Sequence, residues 1–145
     1  MSQFHSPIDF ERKLIQASNL VLEKYARTFA NVNFLTDSSP TYELDYVFRA
    51  NPPYDDGRIF IFEFKYSSSP TLTDSRAFTI LARFDALRNA NPQSRFEMVL
   101  ITNGHVRDAA RDFDGLQILS DITDIDTWTK KLKAWLKREI PNFPV

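Results

Sequence analysis

The run Arg58-Ile59-Phe60-Ile61-Phe62-Glu63-Phe64-Lys65-Tyr66 constrains this chain more than any other segment. It is an almost unbroken series of aromatic and β-branched residues, the composition of a strand. With so little polar surface to turn toward water, such a strand has to be covered on both sides. That requirement places it in the middle of a sheet with helices packed on both faces. The rest of the chain can supply the cover. Its 145 residues match the usual size of one domain, and 43% of them are hydrophobic, with 13 Phe, 5 Tyr and 2 Trp. No internal repeat, low-complexity stretch or long Ser/Gly linker divides the sequence, so a single domain over residues 1–145 is expected.

The flanking segments read as follows. Asp9 is a candidate cap for a helix from Phe10 to Phe29–Ala30, with Phe10, Leu14, Ala17, Val21 and Tyr25 on one stripe and Leu22 and Phe29 widening it. Asn31–Leu35 reads as a short first strand, Asp37-Ser38-Ser39-Pro40 as a turn, and Thr41–Arg49 as a second strand. Asn51-Pro52-Pro53-Tyr54-Asp55-Asp56-Gly57 is the strongest turn signal and joins that strand to Arg58–Tyr66 as a hairpin. After a loop over Ser67–Leu72, Thr73 can cap a helix reaching Asn89, and Phe96–Thr102 is another buried strand. Val106–Asp112 reads as a short helix, Leu116–Leu119 as a last strand, and Asp126 as the cap of a helix over Thr127–Arg138. The order α-β-β-β-α-β-(α)-β-α predicts an α/β fold whose mixed central sheet is flanked by helices.

Composition removes whole classes of function. The absence of Cys excludes disulfides, thiolate metal sites, Cys nucleophiles and iron–sulfur clusters. Two His argue against a His-rich zinc site, and 3 Gly leave no room for a phosphate-binding loop or a dinucleotide fingerprint. A net charge of −1 gives no global attraction to nucleic acid or anionic membranes. No apolar run approaches the ~18 residues of a membrane span. A soluble, cytoplasmic protein with no membrane partner is expected.

Asp45, Glu63 and Lys65 are the residues that carry chemistry. Alternation along the third strand sends Glu63 and Lys65 to the same face as Ile59 and Ile61, so two ionisable groups enter a strand otherwise built for burial. Asp45 lies between Leu44 and Tyr46, again a charge in an apolar strand. If the hairpin forms, Asp45 stands beside Glu63. Two converging carboxylates call for a cation, and oxygen ligands suit magnesium or manganese. A neighbouring lysine can hold a water or offset developing charge. The competing reading is an ordinary Glu63–Lys65 ion pair on an edge strand, with Asp45 serving a turn. The apolar character of the strand and the connecting hairpin speak against it.

Asp45 followed after the hairpin by Glu63-Phe64-Lys65 resembles the Asp…(Asp/Glu)-x-Lys signature of the restriction-endonuclease-like, or PD-(D/E)XK, nuclease superfamily. The expected α-β-β-β-α-β order is similar to that superfamily's core. Phe10-Glu11, Glu43-Leu44-Asp45 and the segment from Val99-Leu100-Ile101-Thr102-Asn103-Gly104 to Ile118-Leu119 further resemble the Mrr-type restriction branch. The similarity spans Phe10 to Thr127. Leu44 stands where the signature has Pro, and no Gly-rich start precedes the first helix. The resemblance implies a Mg²⁺-dependent phosphodiesterase in which Mn²⁺ substitutes, with Asp45, Glu63 and the main-chain carbonyl of Phe64 as metal ligands. It implies that Lys65 positions the attacking water and that Glu11 is an auxiliary ligand or water contact. For Glu11 alone, a first-turn acid favouring the helix dipole is an equal reading. Glu43 could be an extra ligand or lie at the sheet margin, and Glu23 reads as solvated.

Arg76 and Arg83, two turns apart on the helix after the Glu-x-Lys strand, are candidate phosphate contacts. The Lys130-Lys131-x-Lys133 cluster reads as a wet helix face and His105 as a loop residue. The resulting expectation is a small nuclease acting on nucleic acid, DNA foremost, and working as a homodimer or with a partner subunit that selects the target. The alternative is a non-catalytic nuclease-fold subunit that binds nucleic acid or a partner protein.

Overall fold

The computed structural model describes residues 3–34, 42–106 and 115–145. Helix α1 spans Pro7–Leu22, followed by β1 (Ala26–Phe34), β2 (Tyr42–Ala50), β3 (Arg58–Lys65) and the short β4 (Thr71–Leu72). Helix α2 (Asp74–Ala90), β5 (Arg95–Thr102), the short β6 (His105–Val106), β7 (Leu116–Leu119) and α3 (Ile125–Glu139) complete the order. Five strands form one sheet in the order β1-β2-β3-β5-β7. The β1–β2 and β2–β3 pairs are antiparallel, and β3–β5 and β5–β7 are parallel. The fold is α/β, with a mixed sheet flanked by helices, as the sequence predicts.

The burial of β3 explains the layering. Phe60, Phe62 and Phe64 face a core completed by Phe10 and Leu14 of α1 and by Trp128, Leu132 and Trp135 of α3. Ile61 faces the opposite core with Ile80, Phe84 and Leu87 of α2. The two buried indoles keep their N–H groups satisfied, Trp128 donating to Ser18 Oγ at 3.0 Å and Trp135 to Gln117 Oε1 at 2.9 Å.

Several boundaries differ from expectation. The first helix is capped by Ser6, whose hydroxyl accepts from Asp9 N–H at 3.0 Å, and Pro7 takes the first helical position. Asp9 instead pairs with Lys13 at 3.2 Å inside the first turn. The helix ends at Leu22, and Ala26–Ala30, expected as its continuation, opens β1. Pairing with β2 from Ala26↔Ala50 to Phe34↔Tyr42 closes an edge that a longer helix would leave open. Phe29 is accordingly 55% exposed on the strand. The expected loop over Ser67–Leu72 contains β4, which pairs in parallel with β6. The last helix begins at Ile125 under Asp124, which accepts from Thr127 N–H at 2.7 Å, so Asp126 lies in the first turn rather than at the cap. The helix expected over Val106–Asp112 lies outside the described residues except for Val106, which is in β6.

One irregularity prepares the site. Leu44 and Val47 both belong to the α2-side core although they are three positions apart on β2, so the alternation of the pleat slips between them. Across the pair, Val32↔Leu44 and Ala30↔Tyr46 are in register, and they bracket Asn31, whose φ is +54°. The slip lies at Asp45.

Candidate functional site

Strands β2 and β3 pair at Tyr46↔Phe62, Val47↔Ile61 and Phe48↔Phe60 and then part. The same register would set Asp45 opposite Glu63. Instead the Asp45 side chain turns into the gap, and its Oδ2 accepts from Phe64 N–H at 2.9 Å. A carboxylate has taken the place of a ladder partner. The N–H and C=O of one strand residue point to the same side, so the Phe64 carbonyl faces this gap too. On its other side β3 stays paired with β5 through Lys65↔Thr102. The gap is therefore one-sided and its floor is fixed.

Glu63 is 2% exposed, and its Oε1 has no hydrogen-bond partner. Burial, and then the neighbouring charge of Asp45, push its carboxyl far above the ordinary range, to about 9, while Lys65 and Arg83 pull it down. Lys65 is half-buried two positions along the same strand face. Glu11 reaches the group from α1. Burial, followed by Asp45 and Glu43, raises its carboxyl, and Lys65 opposes them. The structure thus brings Glu11, Asp45, Glu63 and Lys65 together from α1, β2 and β3. Of the two candidate arginines, the charge of Arg83 is felt at Glu63. Arg76 Nη1 lies 3.5 Å from the carbonyl of Tyr66, next to Lys65. Helix α2 carries both to the rim of the site.

Other weighed residues fall elsewhere. His105 is exposed and 3.4 Å from Asp121, and Glu23 follows the end of α1. Lys131 donates to the Ser120 carbonyl at 2.7 Å, with Lys130 and Lys133 exposed beside it. Asn31 was not singled out by the sequence reading, yet its amide lies 2.9 Å from Glu11 Oε1 and 3.3 Å from Glu43 Oε1. The available signal was an Asn, a residue tolerant of left-handed backbone, inside an otherwise strand-forming run.

Among the described residues no three of His, Asp or Glu group closely enough to hold a metal ion by themselves. A cation here would rest on the Asp45 and Glu63 carboxylates, the Phe64 carbonyl and water. That donor set suits magnesium, which keeps several waters and takes one or two carboxylates. The unpartnered buried oxygen of Glu63 is what such an ion would satisfy.

No family model matches the chain, and no curated protein matches it. Among solved structures it is similar to the crystal structure of AF1548, a protein of unknown function, at 18% identity and a TM-score of 0.60. The likeness covers 86% of this chain and 66% of that one. It is a likeness of fold, the α/β arrangement described above. No helix among the described residues is long and apolar enough to cross a membrane.

Proposed function

We propose that this chain is a metal-dependent nuclease of the PD-(D/E)XK kind, a single nuclease domain that hydrolyses phosphodiester bonds of DNA in the cytoplasm. The observation that carries the reading is the parting of β2 from β3 at Asp45, with Glu63, its buried oxygen unpartnered, and Lys65 on the fixed strand beside it. Asp45, Glu63 and the Phe64 carbonyl would hold Mg²⁺ or Mn²⁺, which would supply Lewis-acid polarisation and charge neutralisation.

The chain's own groups do the rest. The Lys65 ammonium orients the attacking water and offsets negative charge as the phosphorus is attacked. Burial and the Asp45 charge favour a proton on Glu63 when no metal is bound, and Glu11 contacts water from the α1 side. Arg76 and Arg83 grip phosphates at the rim, fixing the strand without reading bases. Because phosphate contacts carry no sequence information, a second copy of the chain or a partner subunit selects the target.

Supercoiled, linear, single-stranded and branched DNA incubated with Mg²⁺ or Mn²⁺ should be cut by the parent and left intact in EDTA or by Glu63→Gln. Intact DNA in every arm would overturn the reading. The net charge of −1 favours one competitor, a nuclease-fold subunit that binds without cutting. Calorimetry with Mn²⁺ separates the two, because a decayed site takes up no ion.

A further inference from the structure

We propose that Asn31 is a positioning residue, whose side-chain amide clamps the Glu11 and Glu43 carboxylates beside Asp45. Its effect on cleavage rests on the nuclease reading, whereas the clamp itself rests on geometry alone.

Three observations converge on this residue. The first is its backbone. Asn31 has φ +54°, a left-handed conformation that a side chain bearing a Cβ adopts at a cost, and that Asn tolerates better than most. Backbone strain of this kind persists where the surroundings enforce it and gathers at functional sites. Here it falls midway along a strand whose pairing with β2 is in register on both sides. No hairpin or loop requires it.

The second observation is what lies across from it. The bracketing pairs Val32↔Leu44 and Ala30↔Tyr46 set Asn31 opposite Asp45, where the pleat of β2 slips and the carboxylate turns toward β3. The distortions of the two strands coincide. The left-handed residue of β1 is thus the counterpart of the turn that aims Asp45.

The third is the side chain. In the orientation that gives its hydrogens acceptors, the Asn31 amide nitrogen donates to Glu11 Oε1 at 2.9 Å and to Glu43 Oε1 at 3.3 Å. A primary amide has two hydrogens, one for each carboxylate. The two acids come from different elements, α1 and β2, and they repel one another. With no donor between them they would swing apart, and Glu11 would turn to water. The amide therefore ties α1, β1 and β2 together at one corner of the site and keeps Glu11 facing Asp45.

Three variants separate the backbone role from the amide role. Asn31→Gly keeps left-handed freedom and deletes the amide, Asn31→Ala loses both, and Asn31→Asp keeps the shape but replaces donor with acceptor. Asn31→Gly should melt measurably below the parent, though by less than Asn31→Ala, while kcat falls about 10–100-fold, the usual cost of losing a group that orients a site ligand, with KM for an oligonucleotide unchanged. Asn31→Asp should be worse in both stability and kcat, because three carboxylates then meet. Adding Asn31→Gly to Glu11→Ala should cost nothing further in kcat.

A readout without cleavage keeps the clamp testable if the parent cuts no DNA. In metal-free denaturant titrations, the Asn31→Gly and Glu11→Ala effects should be clearly non-additive. Additive effects would overturn the proposal. So would an Asn31→Asp protein that melts like the parent, or that binds Mn²⁺ more tightly, since an oxygen rather than the amide nitrogen would then face the two acids.

Discussion

The two ends of the β2–β3 pair are built to opposite specifications. Toward the hairpin, Tyr46 and Phe62 stack at 5.9 Å, Phe48 and Phe60 stack at 4.9 Å, and Trp135 meets Phe60 edge-on at 5.4 Å. One residue beyond Tyr46 the ladder stops, and a carboxylate turns into the gap. Aromatic pairs add ~0.5–1.5 kcal/mol each beyond the area they bury. A buried carboxyl with an unpartnered oxygen works the other way. The stacked end thus offsets the charged end, and because both sit on β3, the rigidity of one fixes the geometry of the other.

Four experiments would break or sharpen that contrast. The largest effect is expected at Lys65. Lys65→Met keeps the apolar stem and deletes the ammonium, so cleavage should fall by about 10⁴-fold, the scale of losing one member of a catalytic unit. Mn²⁺ affinity and the circular dichroism spectrum should stay as in the parent. Glu63→Gln should lose both cleavage and metal binding, and the double variant should be scarcely worse than Glu63→Gln alone. If Lys65→Met cuts DNA normally, Lys65 is an ion-pair partner and the charged end has no catalytic lysine.

Phe48→Ala tests the other end. Removing a fully buried phenyl ring should cost ~3–5 kcal/mol in denaturant titrations, while the molecules that remain folded bind Mn²⁺ as before. Weakened Mn²⁺ binding with stability intact would erase the division between the two ends.

A smaller effect is expected from pH. Glu63 holds its proton up to about 9 in the folded chain, against an ordinary value of 4.5. Between those values the folded state carries a proton that the unfolded state has lost. The contribution is therefore complete below the ordinary value and disappears as pH climbs toward 9. In EDTA the parent's melting temperature should decline across that window, and that of Glu63→Gln should decline less. Parallel curves would mean that Glu63 is not buried as described.

The smallest change in stability is expected from Asp45→Asn. It removes the charge facing Glu63 and keeps an oxygen for Phe64 N–H. Near pH 9 and above, where Glu63 gives up its proton, the metal-free protein should melt a few degrees higher than the parent, and at every pH it should lose the rise that divalent ions give the parent by binding the folded state. An unchanged metal response would place the ions elsewhere.

Much of this was legible in the sequence, for identifiable reasons. The aromatic run of β3 admits one environment, and the Pro-Pro…Asp-Gly turn fixes its antiparallel neighbour, so the meeting of Asp45 with Glu63 and Lys65 follows from local signals. The end of α1 was not legible. Val21, Tyr25 and Phe29 keep helical spacing, while Ala26, Thr28 and Ala30 alternate equally well for a strand, and only the open edge of β2 decides between them. Ser6 against Asp9 and Asp124 against Asp126 are choices between competent caps, settled by which one takes extended backbone. Asn31 escaped because a left-handed backbone and a clamp across three elements leave no periodic trace.

The hydrogen bond from Phe64 to Asp45 also makes a gauge. Amides of β3 that face β5 are locked in a ladder running from Arg58 to Lys65, and their deuterium uptake waits for the sheet to open. The Phe64 amide hangs on a side chain instead, so its uptake follows a rotation about Asp45's own bonds. In a nuclear magnetic resonance spectrum that single peak tells whether Asp45 is turned toward the strand or away from it. The state of the site can thus be read in a sample that contains no substrate at all.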